Sequence, residues 1–551
     1  MKETASEVPH PPGAEAAAGH RGLTFLVVGL LAYGVVQAVF FPSYYAAADE
    51  GCYVGMAFMF ARGHVTAEAI DDMNFEHYRR VDGRLVSVQD PGLPLLMVPL
   101  TWLGDRALFA FNMLVHAAGF VVFWLLVRRL GLHPAFCLLY LLHPTLWYFS
   151  RGIVNDPSVG VCLLTGAYFL LVGGWAVLAA GVLWGLAVFI RPSSAVFAVP
   201  MLLTWLILAV GQKRGQTPFV RSTPRAYRQK GSDPFFAPGG DEYRQPGRKL
   251  VLLLAGGIPV LVPILLYNLN VLHGLSGFVA GRIPEAGAFS LANVPRNLLF
   301  YGVVLNLVYP LMLVLFFCYR GPLKWPITVS LLVAAPGYLM YLAWGLGADA
   351  HASFRWPERL VIGPRYFAAI LPLMVLAYAS VLHRLAGRLG KVFWVPFVLG
   401  VAGLFAGDCV ITVVHQRSMD RSAYFRDQLF GHTPKGSLVL MGHAARSRIT
   451  GDVLRVRRMR VVFPFRGDEA DTLEKLDEET RNHGEAYVAE LNTGDRWTGK
   501  GDAVRDRELF IQRHPHETVL DVGKDGWRLK IIRVTPAGVS RAPSLNTEGE
   551  S

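Results

Sequence analysis

Long runs of apolar residues constrain this sequence more than any other feature. A helix needs about 20 mostly apolar residues to cross about 30 Å of hydrocarbon at a rise of about 1.5 Å per residue, and we count about eleven such runs between residues 23 and 414. The composition agrees, because 53% of the 551 residues are hydrophobic and only 17% are charged, whereas ordinary soluble domains carry about 25% charge. The sequence therefore predicts a polytopic α-helical membrane protein and excludes a soluble enzyme.

The predicted spans differ in length. The runs at 134–149, 297–318 and 366–382 are predicted as single spans, whereas the apolar run at 91–103 is too short and predicts an interfacial or re-entrant helix. Residues 23–414 are therefore expected to form one transmembrane domain. The composition of residues 1–22 and 536–551 predicts disorder at both ends of the chain.

The distribution of Lys and Arg predicts the orientation in the membrane. Arg128, Arg129, Arg384 and the basic loop at 212–249 fall on the same side if the N-terminus is cytoplasmic, which agrees with the positive-inside rule. The loop at 42–90 and everything after residue 414 are then extracytoplasmic. We expect a multi-pass protein of the inner (plasma) membrane, surrounded by membrane lipid. The net charge of +12 thus reflects topology, and no nucleic-acid partner is predicted.

After residue 414 the pattern of apolar and polar residues becomes that of a soluble domain. Residues 415–535 predict a small C-terminal α/β domain with a helix at 468–483 and a terminal hairpin. The predicted strands lie at 437–441, 461–465, 486–491, 508–511, 517–522 and 527–534.

Two adjacent acids follow the first span directly. Asp49 and Glu50 open the outer loop at 42–90, and adjacent carboxylates beside apolar walls resist double ionisation, which suits a general base that acts on a hydroxyl. The alternative interpretation is an ordinary acidic loop in which a helix begins at Asp49.

Other charged residues fall at span ends on the same predicted side. Asp156 lies at the start of one span, Arg191 precedes Pro192 at the end of another, and Arg365 and Tyr366 open a late span. Taken singly, Asp156 could be a helix cap and the arginines interfacial anchors. Together they place guanidinium groups where a lipid-linked phosphate could be bound.

The order and sidedness of these motifs resemble the GT-C superfamily of polytopic glycosyltransferases. The resemblance covers about residues 23–382 and is nearest to the protein O-mannosyltransferases and the bacterial lipid A aminoarabinose transferases. The motifs that carry it are Asp49-Glu50, Asp156, Arg191-Pro192, Tyr267-Asn268 and Gly363-Pro364-Arg365-Tyr366.

The resemblance implies a function and roles for individual residues. It implies an inverting glycosyltransferase that moves a sugar from a polyprenyl-phosphate-linked donor to an acceptor at the outer face of the membrane. Asp49 would be the catalytic base with Glu50 as its neighbour, and Asp156 a second catalytic acid. Arg365, with Arg191 and Tyr366, would bind the donor phosphate.

The acceptor and the need for a metal stay open at this stage. His77, Asp349 and His351 lie in outer loops and are candidates for contact with an acceptor, which could be a lipid, a glycan or a protein. No spacing typical of a metal site occurs, so the residues themselves assign no cofactor. The resemblance leaves a divalent metal open, because some superfamily members use one.

Two other functions are compatible with many spans. A polytopic transporter would place ionisable residues near the membrane midplane and would show inverted repeats, whereas we find no repeat and most candidates at one interface. An O-antigen ligase or polymerase-like protein would carry its large charged loop late in the chain.

Overall fold

The computed structural model describes residues 13–46, 48–68, 78–81, 84–87, 89–212, 246–271, 289–341, 360–441, 445, 449, 460–462, 469–493 and 501–536. These residues form two compact units. The helical unit is drawn from the described residues of Met1–Phe41 and Asp90–Val414, and the sheet unit from those of Pro42–Gln89 and His415–Ser551. Most of the predicted basic loop and of the predicted disordered ends lies outside the described residues.

Helices dominate the described part of the chain. In chain order they are α1 (Gly13–Val39), α2 (Ala48–Ala61), α3 (Gly92–Thr101), α4 (Ala107–Arg129), α5 (Leu138–Leu141), α6 (Pro144–Ser150), α7 (Asn155–Val172), α8 (Ala176–Ile190), α9 (Ala195–Gln212), α10 (Pro246–Asn270), α11 (Val294–Leu307), α12 (Met312–Phe316), α13 (Lys324–Met340), α14 (Leu371–Leu389), α15 (Lys391–His432), α16 (Glu469–His483) and α17 (Gly501–Gln512). Helix α1 begins inside the stretch predicted to be disordered. Helix α15 begins in the helical unit and ends in the sheet unit.

Several helices have the length and composition of membrane spans. Within the described residues, five helices are long and apolar enough to cross a membrane: α1, α4, α7, α10 and α15. A sixth candidate is the pair Leu360–Phe367 and Leu371–Leu389, which is bent by 105°. Shorter apolar helices include α3, α8 and part of α9. The predicted polytopic helical class agrees with these elements, whereas the count of about eleven spans stays a prediction.

Two predicted spans are broken at prolines. The run at 134–149 forms a short 3-10 helix (Pro134–Cys137) followed by α5 and α6, because Pro144 holds the preceding His143 in an extended conformation (φ −77°, ψ 115°). The run at 297–318 divides into α11 and α12 beside Pro310, and Leu311 has a positive φ of 60°. The side chain of Asn306 accepts a hydrogen bond from the Leu313 amide at 3.0 Å across this break. Apolar length alone therefore did not predict helix continuity here.

The sheet unit contains the strands. They are β1 (Ala67–Glu68), β2 (Tyr78–Val81), β3 (Arg84–Ser87), β4 (Leu438–Met441), β5 (Arg460–Val462), β6 (Ala486–Asn492), β7 (His516–Lys524) and β8 (Trp527–Val534). The first three form a small antiparallel sheet, and the others form a sheet of order β5-β4-β6-β8-β7. Strand β4 is parallel to β5 and β6, whereas β6 with β8 and β8 with β7 are antiparallel.

Within the described residues, the strands and the helix predicted for the C-terminal segment agree with the structure except at one run. The helix at 468–483 and the terminal hairpin are confirmed as α16 and β7-β8, whose turn contains Asp525 and Gly526, both at positive φ. The predicted strand at 508–511 is wrong, because this run lies in α17, where Phe510 and Ile511 pack into the core. A short apolar run fits a strand and the buried face of a helix equally well.

Candidate active site

A buried carboxylate binds two arginines at one end of the helical unit. Asp156 lies in the first turn of α7 and is only 1% exposed. Its Oδ1 accepts a hydrogen bond from Nη1 of Arg191, and its Oδ2 accepts one from Nε of Arg365 at 3.3 Å. The start of a helix favours a negative charge, because the first amide groups point toward it. The sequence predicts that these three residues lie on one side of the membrane, and the structure places them in contact.

Each arginine lies next to a proline in a short turn. Arg191 directly follows α8 and is extended (φ −146°, ψ 100°), because it precedes Pro192. Arg365 lies in a 3-10 helix (Gly363–Phe367) that contains Pro364 near its start. Both guanidinium groups are therefore presented from short, constrained turns between helices.

Asn112 holds the turn that leads to Asp156. The Nδ2 group of Asn112 donates to the carbonyl oxygens of Gly152 and Val154, at 2.7 and 2.9 Å. Its Oδ1 accepts a hydrogen bond from the Ser158 hydroxyl at 3.0 Å. Asn112 is 2% exposed, so these bonds replace contacts with water and fix the start of α7. Asn112 is not among the site residues predicted from the sequence; its signal is an amide side chain within an apolar helix.

Arg151 was missed as well. Its side chain is fully buried and donates to Oε1 of Gln37 at 2.8 Å and to the carbonyl oxygen of Phe40 at 2.6 Å. Arg151 thereby joins the end of α1 to the turn held by Asn112. An arginine between two apolar runs was the available signal.

Glycines allow close approach on two sides of the site. A Cβ atom on Gly160, one helical turn after Asp156, would lie 2.8 Å from the carbonyl oxygen of Ala368. A Cβ atom on Gly92 would lie 2.4 Å from the carbonyl oxygen of Phe189, two residues before Arg191. These contacts bring α7 against the segment after Arg365, and the start of α3 against the end of α8. Asp90, two residues before Gly92, is a further buried acid that sequence reasoning did not single out.

Aromatic rings lie beside Arg365 and Tyr366. The guanidinium of Arg365 lies over the ring of Phe149, 5.4 Å from its centroid. The ring of Tyr366 contacts those of Tyr341 and Tyr338, with centroids 5.5 and 6.0 Å apart. The Asn297 side chain donates to the Tyr341 carbonyl at 2.6 Å and so holds the end of α13 beside this cluster.

The charge of the site favours an anion. Two arginines face one aspartate, so the trio carries one net positive charge. Arg191 and Arg365 are partly exposed, at 24% and 31%, whereas Asp156 is covered. Each guanidinium carries five N–H donors; Asp156 accepts from one on each, and Nε of Arg191 also donates to the Ser193 hydroxyl at 3.1 Å. This arrangement presents charged donors to an external anion such as a phosphate.

The predicted acidic pair lies in the other unit. Asp49 and Glu50 occupy the first turn of α2 in the sheet unit. Glu50 is 3% exposed, and its Oε2 accepts a hydrogen bond from the Ala46 amide at 3.0 Å. Asp49 is half-buried. The catalytic roles of both residues stay predictions.

The remaining candidates concern the acceptor and metal. His77, Asp349 and His351 lie outside the described residues. Within the part of the chain that the structure describes, no three or more His, Cys, Asp or Glu side chains are grouped in a way that could bind a metal.

Comparison with known proteins gives a match at the level of structure. No protein-family model matches the sequence, and no curated protein matches it by sequence. The crystal structure of ArnT from Cupriavidus metallidurans bound to undecaprenyl phosphate superposes with a TM-score of 0.53 at 14% identity, over 93% of this chain and 97% of that chain. The apo structure of the same protein gives a TM-score of 0.46 at 15% identity, over 94% and 98% of the two chains.

The first of these structures alone carries the fold assignment. ArnT is a lipid A aminoarabinose transferase of the GT-C superfamily, which is one of the two groups that the sequence motifs resemble. The predicted resemblance is therefore confirmed for the fold alone: this chain has the fold of the ArnT structure.

Proposed function

We propose that this chain is a membrane glycosyltransferase that moves a sugar from a polyprenyl-phosphate-linked donor to an acceptor at the outer face of the membrane. The single observation that carries the proposal is the contact of buried Asp156 with Arg191 and Arg365. A site with net positive charge among apolar helices suits a phosphate that is attached to a long hydrocarbon. The fold agrees, because the ArnT structure with this fold is bound to undecaprenyl phosphate.

The two arginines are proposed to stabilise the polyprenyl phosphate as it leaves. In the proposed reaction the acceptor hydroxyl loses its proton to a base, and its oxygen attacks the anomeric carbon with inversion. The bond between that carbon and the phosphate oxygen breaks, and polyprenyl phosphate leaves with the electron pair. Arg365 and Arg191 stabilise the charge that develops on the phosphate, since preorganised donors act strongly where water is excluded.

The other residues receive supporting roles. Asp49 is the proposed base, with Glu50 as its neighbour. Asp156 is proposed to orient the two guanidinium groups, because both of its oxygens accept hydrogen bonds from them. Tyr366 belongs to the aromatic cluster next to Arg365 and is proposed to line the donor site.

The basic helix ends support a proposed orientation of the protein in the membrane. Arg128, Arg129 and Arg384 lie at the helix ends opposite to those that carry Asp156, Arg191 and Arg365. The positive-inside rule places those basic ends in the cytoplasm. The active site and the sheet unit would then be extracytoplasmic, in the inner membrane.

One observation favours a transporter instead. Asp408 is fully buried within α15, and neither of its carboxylate oxygens has a hydrogen-bond partner in the described structure. An acid inside a membrane helix commonly marks an ion or proton pathway. The transferase remains the better account, because the arginine pair and the fold have no role in the transporter hypothesis.

A transfer assay tests the proposal. Purified protein in vesicles is incubated with a panel of radiolabelled hexoses and pentoses, each linked to polyprenyl phosphate, together with membrane extract as the source of acceptor. We expect label to move from at least one donor with wild-type protein and with Arg417→Gln, an exposed control in the sheet unit. We expect Asp49→Asn to abolish transfer. Near-wild-type transfer by Asp49→Asn would refute the assigned base, and no transfer from any donor would refute the function.

A further inference from the structure

Basic residues collect at the end of the helical unit opposite to Asp156. The stretches 126–137, 170–178, 205–212, 246–252, 316–328 and 382–395 contain no Asp or Glu. They contain nine Lys and Arg residues: Arg128, Arg129, Arg248, Lys249, Arg320, Lys324, Arg384, Arg388 and Lys391. We call these stretches the basic end.

Direct contacts show that these stretches adjoin one another. Nη2 of Arg129 donates to the carbonyl of Leu171, which joins the ends of α4 and α7. Nη2 of Arg384 donates to the carbonyl of Cys318 at 2.6 Å, and the His133 amide donates to Nδ1 of His383 at 3.2 Å. The basic end is therefore one surface assembled from several helices.

Tryptophans accompany these cations. Four pairs place a cation 4.9 to 5.6 Å from the centroid of an indole ring: Arg128 with Trp124, Arg248 with Trp175, Lys249 with Trp205, and Lys324 with Trp325. Tryptophan prefers the boundary between hydrocarbon and water. A cation over its ring is held at that same depth. The basic end thus coincides with a membrane interface.

The start of α10 combines this charge with an exposed apolar flank. Arg248 and Trp175 are both exposed, and Lys249 is buried behind them. Val251 is 64% exposed and lies three residues after Arg248, which is about 4.5 Å along the helix axis. The flank continues over exposed Leu254 and, on α9, Ile207. A cation directly above an apolar strip complements a molecule with an anionic head and a hydrocarbon tail.

We infer that Arg248, Lys249, Trp175 and Trp205 form a binding site for the headgroup of an anionic phospholipid. Arg248 contacts the lipid phosphate, Lys249 adds positive potential from behind, and the acyl chains lie along Val251, Leu254 and Ile207. A free phosphate or a nucleotide would use the cations alone and would leave the apolar flank uncovered, so a bilayer phospholipid fits both features. The site is separate from the proposed donor site and does not depend on the proposed function.

Lipid binding to purified protein tests this inference. The chain is placed in vesicles of phosphatidylcholine alone or of phosphatidylcholine with phosphatidylglycerol at about 3:1, and bound lipids are counted by native mass spectrometry after extraction. The double variant Arg248→Gln/Lys249→Gln is compared with Arg417→Gln/Lys435→Gln, which removes two exposed cations from the sheet unit.

The expected binding depends on the charge of the lipid and on the two cations of the site. Wild type and control should retain phosphatidylglycerol. The double variant should bind it about 30-fold more weakly, because each of the two lost cations contributes about 1 kcal/mol of attraction to anionic lipid. Arg248→Lys should keep most of the binding, which separates loss of charge from misfolding. Equal retention of phosphatidylglycerol by the double variant would overturn the inference. Competition by inorganic phosphate equal to that by phosphatidylglycerol would overturn it as well.

Discussion

The carboxylate of Asp156 and the guanidinium of Arg365 lie 209 residues apart in sequence and meet at 3.3 Å between Oδ2 and Nε. Arg191 contacts the other carboxylate oxygen. One buried acid thus joins the start of α7, the end of α8 and the turn before α14. The site depends on this junction, because Asp156 links two arginines that come from separate short turns.

Replacing Asp156 should loosen both arginines. Asp156→Asn keeps the shape of the side chain but removes the charge that two guanidinium groups share, and we expect the free energy of unfolding to fall by about 1–3 kcal/mol. The KM for the lipid-linked donor should rise more than kcat falls, because the arginines remain present but less well oriented. Thermal unfolding and steady-state kinetics measure the two effects. An unchanged KM would show that Asp156 does not position the donor site.

Gly160 allows α7 to pack closely against the segment that follows Arg365, and a substitution there tests this packing. Gly160→Ala would place a Cβ atom 2.8 Å from the Ala368 carbonyl, so α7 must move away from the segment that follows Arg365. We expect a loss of about 1–3 kcal/mol in stability together with weaker donor use. The matched control is Gly403→Ala on α15, where a Cβ would meet no atom within 4 Å. Equal behaviour of the two variants would contradict the packing argument.

The three charged residues of this site could be predicted from the sequence, but the contacts among them could not. Asp156, Arg191 and Arg365 were identifiable because each stands at the end of an apolar run, and helix ends on one side of a membrane lie at similar depth. Their mutual contact was not predictable, since it depends on the approach at Gly160 and on the hydrogen bonds of Asn112. The breaks at Pro144 and Pro310 were missed for a related reason, because hydropathy averages over the local restrictions that proline imposes.

Asp408 distinguishes the two functional hypotheses. Under the transferase account this acid has no part in the chemistry, so Asp408→Asn should retain sugar transfer within about twofold, because one neutral isostere replaces the carboxyl. A transporter with Asp408 in its pathway would lose its function in the same variant. Sugar transfer by both wild type and Asp408→Asn would support the transferase, since a transporter has no transfer activity to retain. A complete loss of transfer in a folded variant would contradict the prediction that Asp408 has no part in the chemistry.

The hairpin in the sheet unit should respond to acid. Arg528 donates two hydrogen bonds of 2.6 Å to Asp521, and these hold the pKa of the Asp521 carboxyl below its usual value of 3.8. A carboxyl whose pKa is lower in the folded state stabilises the fold above its unfolded-state pKa and loses that effect as the pH falls through its folded-state pKa. Amide exchange in β7 and β8 should therefore be faster in Arg528→Gln than in wild type at pH 7. The two proteins should converge well below pH 3.8, and a constant difference across this range would exclude the charge pair as its cause.

Direct binding of polyprenyl phosphate tests the central claim most closely. Titration of this lipid into purified wild type, Arg365→Gln, Arg191→Gln and the Arg417→Gln control isolates the phosphate contact from the sugar and the acceptor. We predict that the wild type and the control bind alike, and that each of the two site variants binds about tenfold more weakly or worse, since a hydrogen bond to a charged group contributes about 1.5–3 kcal/mol. Unchanged affinity in both site variants, with the fold intact, would contradict the assignment of this arginine pair to the donor phosphate.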